Sequence, residues 1–429
     1  MTTSTTRPTL RLVVDGGTPV RSPQRRWPEW PVPAPGAEQL LTEALHSRRW
    51  AISSPSNGAD LFERRFARRF AQYVGAAHCV PVDHGSSALV VALEALGIPH
   101  GETVLVPALT WTASATAVLR AGLVPMLVDV DPATGCVRPQ DLDLDVGAAA
   151  LVAVHWASVM ADVPALEAVA GPAGLAIVED VAQAHGATWQ GRQAGTLGRL
   201  GCFSFQNGKV LTGGEGGAVV TDDAGLACTL EELRADSRRY RDDATPRGEL
   251  DLEESAGVQG ANFCLSEFSA AVLCAQLDEL DAQHETRNRN YALLTELLAE
   301  VEGVRLLQPP PAQTRMSIYE ATVVFDALPA DVSTARLGEA LTAELGRRFY
   351  PTDAPLHRSP LLQPGSKAAL GPLAERFVEL HRGRTYPGCD QIAGRCVQTH
   401  HSTFLGDGDD MQDIAAAVTK VRDALVRPR

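Results

Sequence analysis

The sequence predicts an α/β protein: a mostly parallel central sheet flanked by helices, followed by a smaller C-terminal α/β unit. Three observations predict it. Short apolar runs alternate with helical patterns between residues 80 and 180. Polar residues suited to chemistry sit where those runs end. One long helical pattern, 265–298, separates this series from a second set of strands and helices. Alternation of this kind builds βαβ units, and ligands in such sheets gather at the carboxyl ends of the strands.

Residues 1–35 are polar and proline-rich, with Trp27 and Trp30 in WPEWP, and read as an arm. A helical pattern covers 61–73. A short strand at 80–82 runs into His84-Gly85-Ser86-Ser87-Ala88 and then the helical stretch ALVVALEALG. Strands are expected at 103–106, 124–128, 151–154 and 176–178, with helices at 114–120 and 163–170. Apolar runs at 202–205 and 218–220 flank a glycine cluster. The acidic, polar stretch 241–260 reads as a loop. Beyond 300, a strand is expected at 321–325 and helices near 334–346, 366–382 and 411–426. The expected division is an arm (1–35), a large domain (36–285) and a small domain (286–429), with no internal repeat.

The 429 residues are 45% hydrophobic, enough for two or three packed units. The net charge of −14, from 38 basic and 52 acidic residues, argues against nucleic acid and anionic membranes as partners. There is no apolar run of membrane-spanning length. The opening MTTSTTRPTL has no apolar core, so no signal peptide is expected. Eight cysteines without a C-x-x-C pair suit reduced thiols in the cytoplasm. His400 and His401 adjoin but lack metal-ligand spacing, so no metal is expected.

The chemistry centres on Lys209, in SFQNGKVLTGGEGGAVVT (204–221). A lysine in a tight, partly apolar turn is poorly solvated, which lowers its pKa and frees a nucleophilic amine. Such an amine suits a covalent bond to an aldehyde cofactor, of which pyridoxal phosphate is the usual one. That cofactor needs an acid at its ring nitrogen, donors for its phosphate and a surface for its ring. Asp180 ends a strand in IVEDVAQAHG. Gly85-Ser86-Ser87 stands between a strand and a helix, where amides and hydroxyls bind phosphate. Ser204 offers another hydroxyl, and Trp111 a flat face. Each has an ordinary alternative: a surface lysine, a helix-capping carboxylate, capping serines, a core tryptophan. Rival phosphate loops fail, because Gly208-Lys209 lacks the other Walker residues and GTLGRLG (195–201) is not G-x-G-x-x-G.

Taken in order, Gly-Ser-Ser-Ala, Leu-Thr-Trp, Glu-Asp-x-Ala-Gln-x-His-Gly and Ser-Phe-Gln-x-x-Lys-x-x-Thr-x-Gly-Glu-Gly-Gly resemble the DegT/DnrJ/EryC1/StrS aminotransferases, a group of fold-type I pyridoxal-phosphate enzymes. The resemblance covers roughly residues 27–405. It implies that Lys209 bonds the cofactor and shuttles the proton, and that Asp180 pairs with the ring nitrogen. It places Gln183 by the ring and its phenolic oxygen, Trp111 against the ring, and Ser86, Ser87 and Ser204 on the phosphate. Asn262, in GANFCLSEF, would reach the phosphate of a neighbouring subunit, which implies a homodimer with shared sites. His84 departs from the family pattern, where serine is usual. Some relatives carry histidine in place of the lysine and act as dehydratases; Lys209 favours transamination.

WPEWP, RRWAIS, LTW, LRADSRRY and His400-His401 are similar to the inosose aminotransferases of aminoglycoside biosynthesis. That similarity implies L-glutamine as donor and a keto-cyclitol, 2-deoxy-scyllo-inosose or scyllo-inosose, as acceptor. Tyr350, His400 and His401 are the candidates for contacts to the polyhydroxylated ring. Three alternatives stay open. They are a 3-amino-5-hydroxybenzoate synthase-like enzyme, whose relatives usually carry Phe where this chain has Trp111; a nucleotide-keto-sugar aminotransferase; and a non-catalytic partner subunit of the same fold.

Overall fold

Runs of five residues, apolar and mostly buried on both faces, set the central sheet. In the computed structural model, which describes residues 11–426, these are β1 (His78–Val82), β2 (Thr103–Pro107), β3 (Val124–Val128), β4 (Ala150–Val154), β5 (Ala176–Asp180), β6 (Leu200–Ser204) and β7 (Gly217–Thr221). The stretch MTTSTTRPTL, on which the expectation of no signal peptide rests, lies outside the described residues. The strand order is β1-β7-β6-β5-β4-β2-β3. The pairs from β6 through β3 are parallel, while β7 runs antiparallel to both its neighbours. Continuous apolar runs are what strands covered by helices on both faces require.

The helices of this unit are α1 (Ala37–Ser47), α2 (Phe62–Val74), α3 (Gly85–Ala95), α4 (Ala113–Arg120), α5 (Val163–Ala170) and α6 (Ala224–Arg234). The long helix α7 (Glu267–Ala299) begins at Ser266, whose side chain accepts from Phe268 N. Its first half packs Ala270, Leu273 and Leu280 with Phe66, Phe70, Phe203 and Phe205. Its second half packs Tyr291, Leu294 and Leu298 into a separate core with Leu337, Leu341, Phe404 and Ile414. The helix therefore runs unbroken through the boundary expected at 285.

The second core covers a four-stranded antiparallel sheet of β8 (Val304–Leu306), β9 (Glu320–Phe325), β10 (Tyr350–Pro351) and β11 (Cys396–His400), in the order β8-β9-β11-β10. Helices α8 (Thr334–Leu345) and α11 (Gly408–Leu425) pack on it. The arm is anchored to α11 through Arg21, which pairs with Asp410 (2.7 Å) and Asp413 (2.8 Å).

Two expectations need correction. Helices α9 (Gly371–His381) and α10 (Pro387–Ala393) fall in the segment assigned to the small domain, yet Leu373, Cys389 and Ile392 belong to the core of the large sheet. They cover the edge strand β3: His381 Nε2 accepts Leu127 N–H (2.9 Å) and Asp129 accepts the amides of Gly388 and Cys389. An uncovered edge would expose unpaired backbone groups. The stretch read as a loop at 241–260 contains Leu252–Glu254, which pairs antiparallel with Arg238–Tyr240 and buries Leu252 beside Ile52 and Leu61. Among the described residues no helix is long and apolar enough to cross a membrane, no cysteines are paired, and no group of three or more His, Cys, Asp or Glu is arranged for a metal ion.

Candidate active site

A cavity of about 580 Å³ opens at the carboxyl ends of β4, β5 and β6 and is closed on its far side by β9, β10 and β11. Ser86, Ser87, Trp111, Asp180, Gln183, Ser204, Lys209 and Tyr350 all line it. Their sequence separation is bridged by the strand order, which sets β5 beside β6 and brings α3 against the β6–β7 pair.

At one end, α3 starts with Gly85. Ser86 and Ser87 therefore lie inside its first turn rather than at the cap. The capping position belongs to His84, which gives the helix no side-chain hydrogen bond and instead sets Nδ1 3.0 Å from Glu215 Oε2. The first amides of α3 thus face the cavity without an internal side-chain acceptor, the arrangement that binds phosphate. The approach is tight. A Cβ on Gly85 would sit 3.0 Å from Ser204 Cα and 2.9 Å from its Oγ, and one on Gly217 would sit 2.5 Å from the carbonyl carbon of His84. His185 donates from Nε2 to the Ser204 carbonyl (2.7 Å), and burial holds its ring down at about 3, so it is neutral.

Asp180 projects from the end of β5. Ser114 Oγ donates to its Oδ2 (2.8 Å) and Ala182 N to its Oδ1 (3.1 Å), while Thr110 Oγ1 lies 2.9 Å from Ser114 Oγ. Its neighbour Glu179 is fully buried and accepts the amides of Gly195 (2.9 Å), Leu197 (2.7 Å) and Gly198 (2.6 Å), with His155 Nε2 at 3.0 Å. The glycine-rich 195–201 loop is thus wrapped around a carboxylate of its own chain. Gln183 Oε1 accepts Ala157 N–H (2.6 Å) beside the cavity. Trp111 is 50% exposed, so it is a wall of the cavity and not a core residue.

Lys209 follows β6 in a turn closed by its own N–H to Gln206 O (2.8 Å). Its Nζ stands 4.0 Å from the ring centroid of Tyr319. Burial lowers its pKa from 10.5 to about 8, against the upward pull of Asp180, Glu320 and Asp353. Tyr319, Glu320 and Asp353 were not singled out from the sequence. Glu320 opens β9 and accepts the Tyr350 hydroxyl (2.5 Å); burial raises its carboxyl to about 7. The only local signal is a glutamate at the start of an apolar strand, which is common in surface strands as well.

Three candidates lie elsewhere. His400 and His401 do not line the cavity. Both rings bind Gly208 O, through Nε2 at 3.1 and 3.2 Å, and His401 packs edge-on against Trp30. They buttress the lysine turn from behind because β11 ends beside it. Asn262 is exposed outside the cavity, its Oδ1 accepting Cys264 N (3.2 Å).

The residues present suit pyridoxal phosphate: a desolvated lysine, a hydrogen-bonded aspartate, an uncapped helix start and an exposed indole share one cavity of adequate volume. The comparisons with known proteins agree. Residues 38–383 match the model of the DegT/DnrJ/EryC1/StrS aminotransferase family. The chain is 46% identical over 96% of its length, and 97% of the relative's, to the L-glutamine:2-deoxy-scyllo-inosose aminotransferase of Streptoalloteichus tenebrarius. It is 42% identical, over 96% and 97%, to the L-glutamine:scyllo-inosose aminotransferase of Streptomyces griseus. Its fold matches the crystal structure of 3-amino-5-hydroxybenzoic acid synthase with a TM-score of 0.77 at 32% identity, covering 93% of this chain and 99% of that one. With the family model spanning most of the chain and its characteristic residues gathered at one site, this protein belongs to the DegT/DnrJ/EryC1/StrS aminotransferases, enzymes of the pyridoxal-phosphate-dependent class.

Proposed function

We propose that this aminotransferase moves the amino group of L-glutamine to a keto-cyclitol, 2-deoxy-scyllo-inosose or scyllo-inosose, in the making of an aminoglycoside-type antibiotic, and works in the cytoplasm as a homodimer. The observation that carries the reading is the meeting of Lys209, Asp180, Trp111 and the start of α3 in one cavity. The donor and acceptor come from the names of the 46% and 42% identical relatives. The 3-amino-5-hydroxybenzoate alternative rests on a 32% identical neighbour and is less well supported. Three units accompany the reading: an arm, a large domain and a small domain meeting along α7.

Lys209 would hold the cofactor covalently, with Ser86, Ser87, Ser204 and the first amides of α3 on its phosphate. When bound, pyridoxal phosphate supplies an aldehyde carbon that carries the amino group and a ring that withdraws electrons from the adjacent carbon. Asp180 offers a negative charge to the ring nitrogen, and its bond from Ser114 fixes the carboxylate's orientation. Gln183 is held by Ala157 N–H, so its amide is aimed rather than free. Trp111 walls the ring's face. The Lys209 amine would take the proton from the donor's α-carbon; its lowered pKa makes it a base near neutrality. Across both halves the donor carbon is oxidised to the ketone of 2-oxoglutaramate and the acceptor carbonyl carbon is reduced to an amine carbon. Nitrogen and oxygen change places, and no outside oxidant is needed. Asn262, exposed on the surface, is assigned to the phosphate of the second subunit.

The test is a two-stage absorbance experiment on cofactor-loaded protein. L-Glutamine is added first, and then each inosose or an aminoshikimate analogue. Loss of the cofactor's visible band with glutamine and its return with an inosose is the expected result. Absence of any change with glutamine, in protein that carries cofactor, would overturn the reading.

A further inference from the structure

Glutamine and the keto-cyclitol use the same cavity in turn, so its wall must suit both. What an amide and a polyol share is neutral N–H or O–H donors. What glutamate would bring in place of glutamine is a second carboxylate and no side-chain donor.

The charged groups on the wall are unevenly committed. Asp180 is held for the ring nitrogen, and Lys209 for the cofactor. Glu215 pairs with His84 at the surface. Arg120, at the end of α4, is close enough to Glu94 to stabilise that carboxylate. The acidic groups left facing a bound substrate are Glu320 and, at the rim, Asp353, and besides Lys209 the cation of Arg348 acts on Glu320. Glu320 is presented by β9 and fixed by Tyr350, which is brought across from β10 through its neighbour β11: Tyr350 pairs with Gln398, and Gln398 with Thr322. Tyr350 occupies one lone pair of Oε2 and leaves the rest of the carboxylate to accept from a ligand. Lys209 and Glu320 lie within electrostatic reach of each other, so Glu320 borders the space that opens where a donor's nitrogen replaces the lysine's.

We propose that Glu320, oriented by Tyr350, selects the amino donor: it accepts the side-chain amide N–H of glutamine, then the hydroxyls of the cyclitol, and rejects the γ-carboxylate of glutamate. The inference rests on the proposed glutamine-to-cyclitol function and names the residue that sets its donor. The α-carboxylate is common to both amino acids and cancels from the comparison. A like charge against the ionised form of Glu320, whose carboxyl burial sets at about 7, does not cancel. Tyr350 is a positioning residue in this scheme.

The experiment measures the first half-reaction of cofactor-loaded protein with L-glutamine and with L-glutamate, and takes the ratio of kcat/KM. Wild type is expected to prefer glutamine. In Glu320→Gln the ratio should fall about ten-fold or more, chiefly because the KM for glutamate drops, since the new amide can donate to a carboxylate. Tyr350→Phe should lower the ratio by a smaller factor by loosening the carboxylate, and it decides the matter if Glu320→Gln fails to take up cofactor. A ratio unchanged in the variants that load cofactor, or a parallel loss with both donors, overturns the inference while leaving the glutamine reaction standing. Wild-type protein inert to glutamine would overturn the proposed function itself, and this inference with it.

Discussion

Replacing Gly85 by alanine tests the phosphate cradle with a single methyl group. The added carbon would lie 3.0 Å from Ser204 Cα, 2.9 Å from Ser204 Oγ and closer still to Ser204 Cβ, whereas carbon atoms in ordinary contact stand ~3.5–4.0 Å apart. The start of α3 and the end of β6 must therefore separate by about 1 Å or more. Neither can retreat freely, because the backbone of His84 is pressed against Gly217 on β7. Forced overpacking of this kind costs about 1–3 kcal/mol in stability. The amides of α3 would move with the helix, and losing one hydrogen bond to a charged phosphate costs about 1.5–3 kcal/mol, or roughly 10- to 150-fold in affinity. The assay is titration of cofactor-free protein with pyridoxal phosphate, followed by absorbance. Gly365→Ala, where nothing lies within 4 Å of the new carbon, is the control and should be silent. A Gly85→Ala protein that binds cofactor as tightly as wild type, with an unchanged melting temperature, would refute both the cradle and the steric argument.

Other outcomes follow from the same geometry. Cofactor capture by the free protein should rise with pH about a midpoint near 8, because only the neutral amine reacts; at pH 7.5 about a quarter of Lys209 is then neutral, against about one in a thousand for an ordinary lysine, and a midpoint near 10.5 in stopped-flow traces would contradict the burial argument. Asp180→Asn keeps the acceptor for Ser114 but removes the charge, so turnover should fall on the order of 10²–10³ while cofactor still binds; full turnover would exclude the assigned role. Glu179→Ala strands three amides and His155 and should lower urea stability by about 3–5 kcal/mol, with a loss under 1 kcal/mol counting against the carboxylate as the organiser of the 195–198 loop.

The series from β1 to β7 was legible because strands covered on both faces must be apolar at nearly every position, and such runs are hard to mistake when helices alternate with them. The residues proposed to hold the cofactor converge for a different reason: Lys209, Asp180 and Ser86-Ser87 each sit at or just past the end of a strand, where the parallel sheet makes their meeting in one cavity a consequence of topology. Glu320 carried no such mark, and nothing in the sequence linked it to Tyr350, which was named only as a candidate substrate contact. They are 30 residues apart, and only the register of β9, β11 and β10 brings the hydroxyl to the carboxylate. His400 and His401 were placed on the substrate because a polar pair near a sugar site is plausible. β11 ends behind the lysine turn, where both rings meet Gly208 O, and residue pattern does not reveal that placement. The amphipathic pattern of α9 showed that it covers a core but not which one, so the edge of the large sheet claimed it.

The two rings that clasp Gly208 belong to a larger set. His185, His284, His400 and His401 are all held neutral by burial, with His185 pulled down to about 3 and His400 to about 4. An unfolded chain would protonate each of them near 6.5, so below that pH it binds protons the folded protein refuses. The sign is unambiguous: the stability these groups allow is whole above pH 6.5 and drains as acidity increases toward their folded values. Each unit of pH in that window weighs on the fold by up to about 1.4 kcal/mol per histidine. The scaffold behind the lysine therefore loses part of its stability as pH falls below the histidine range.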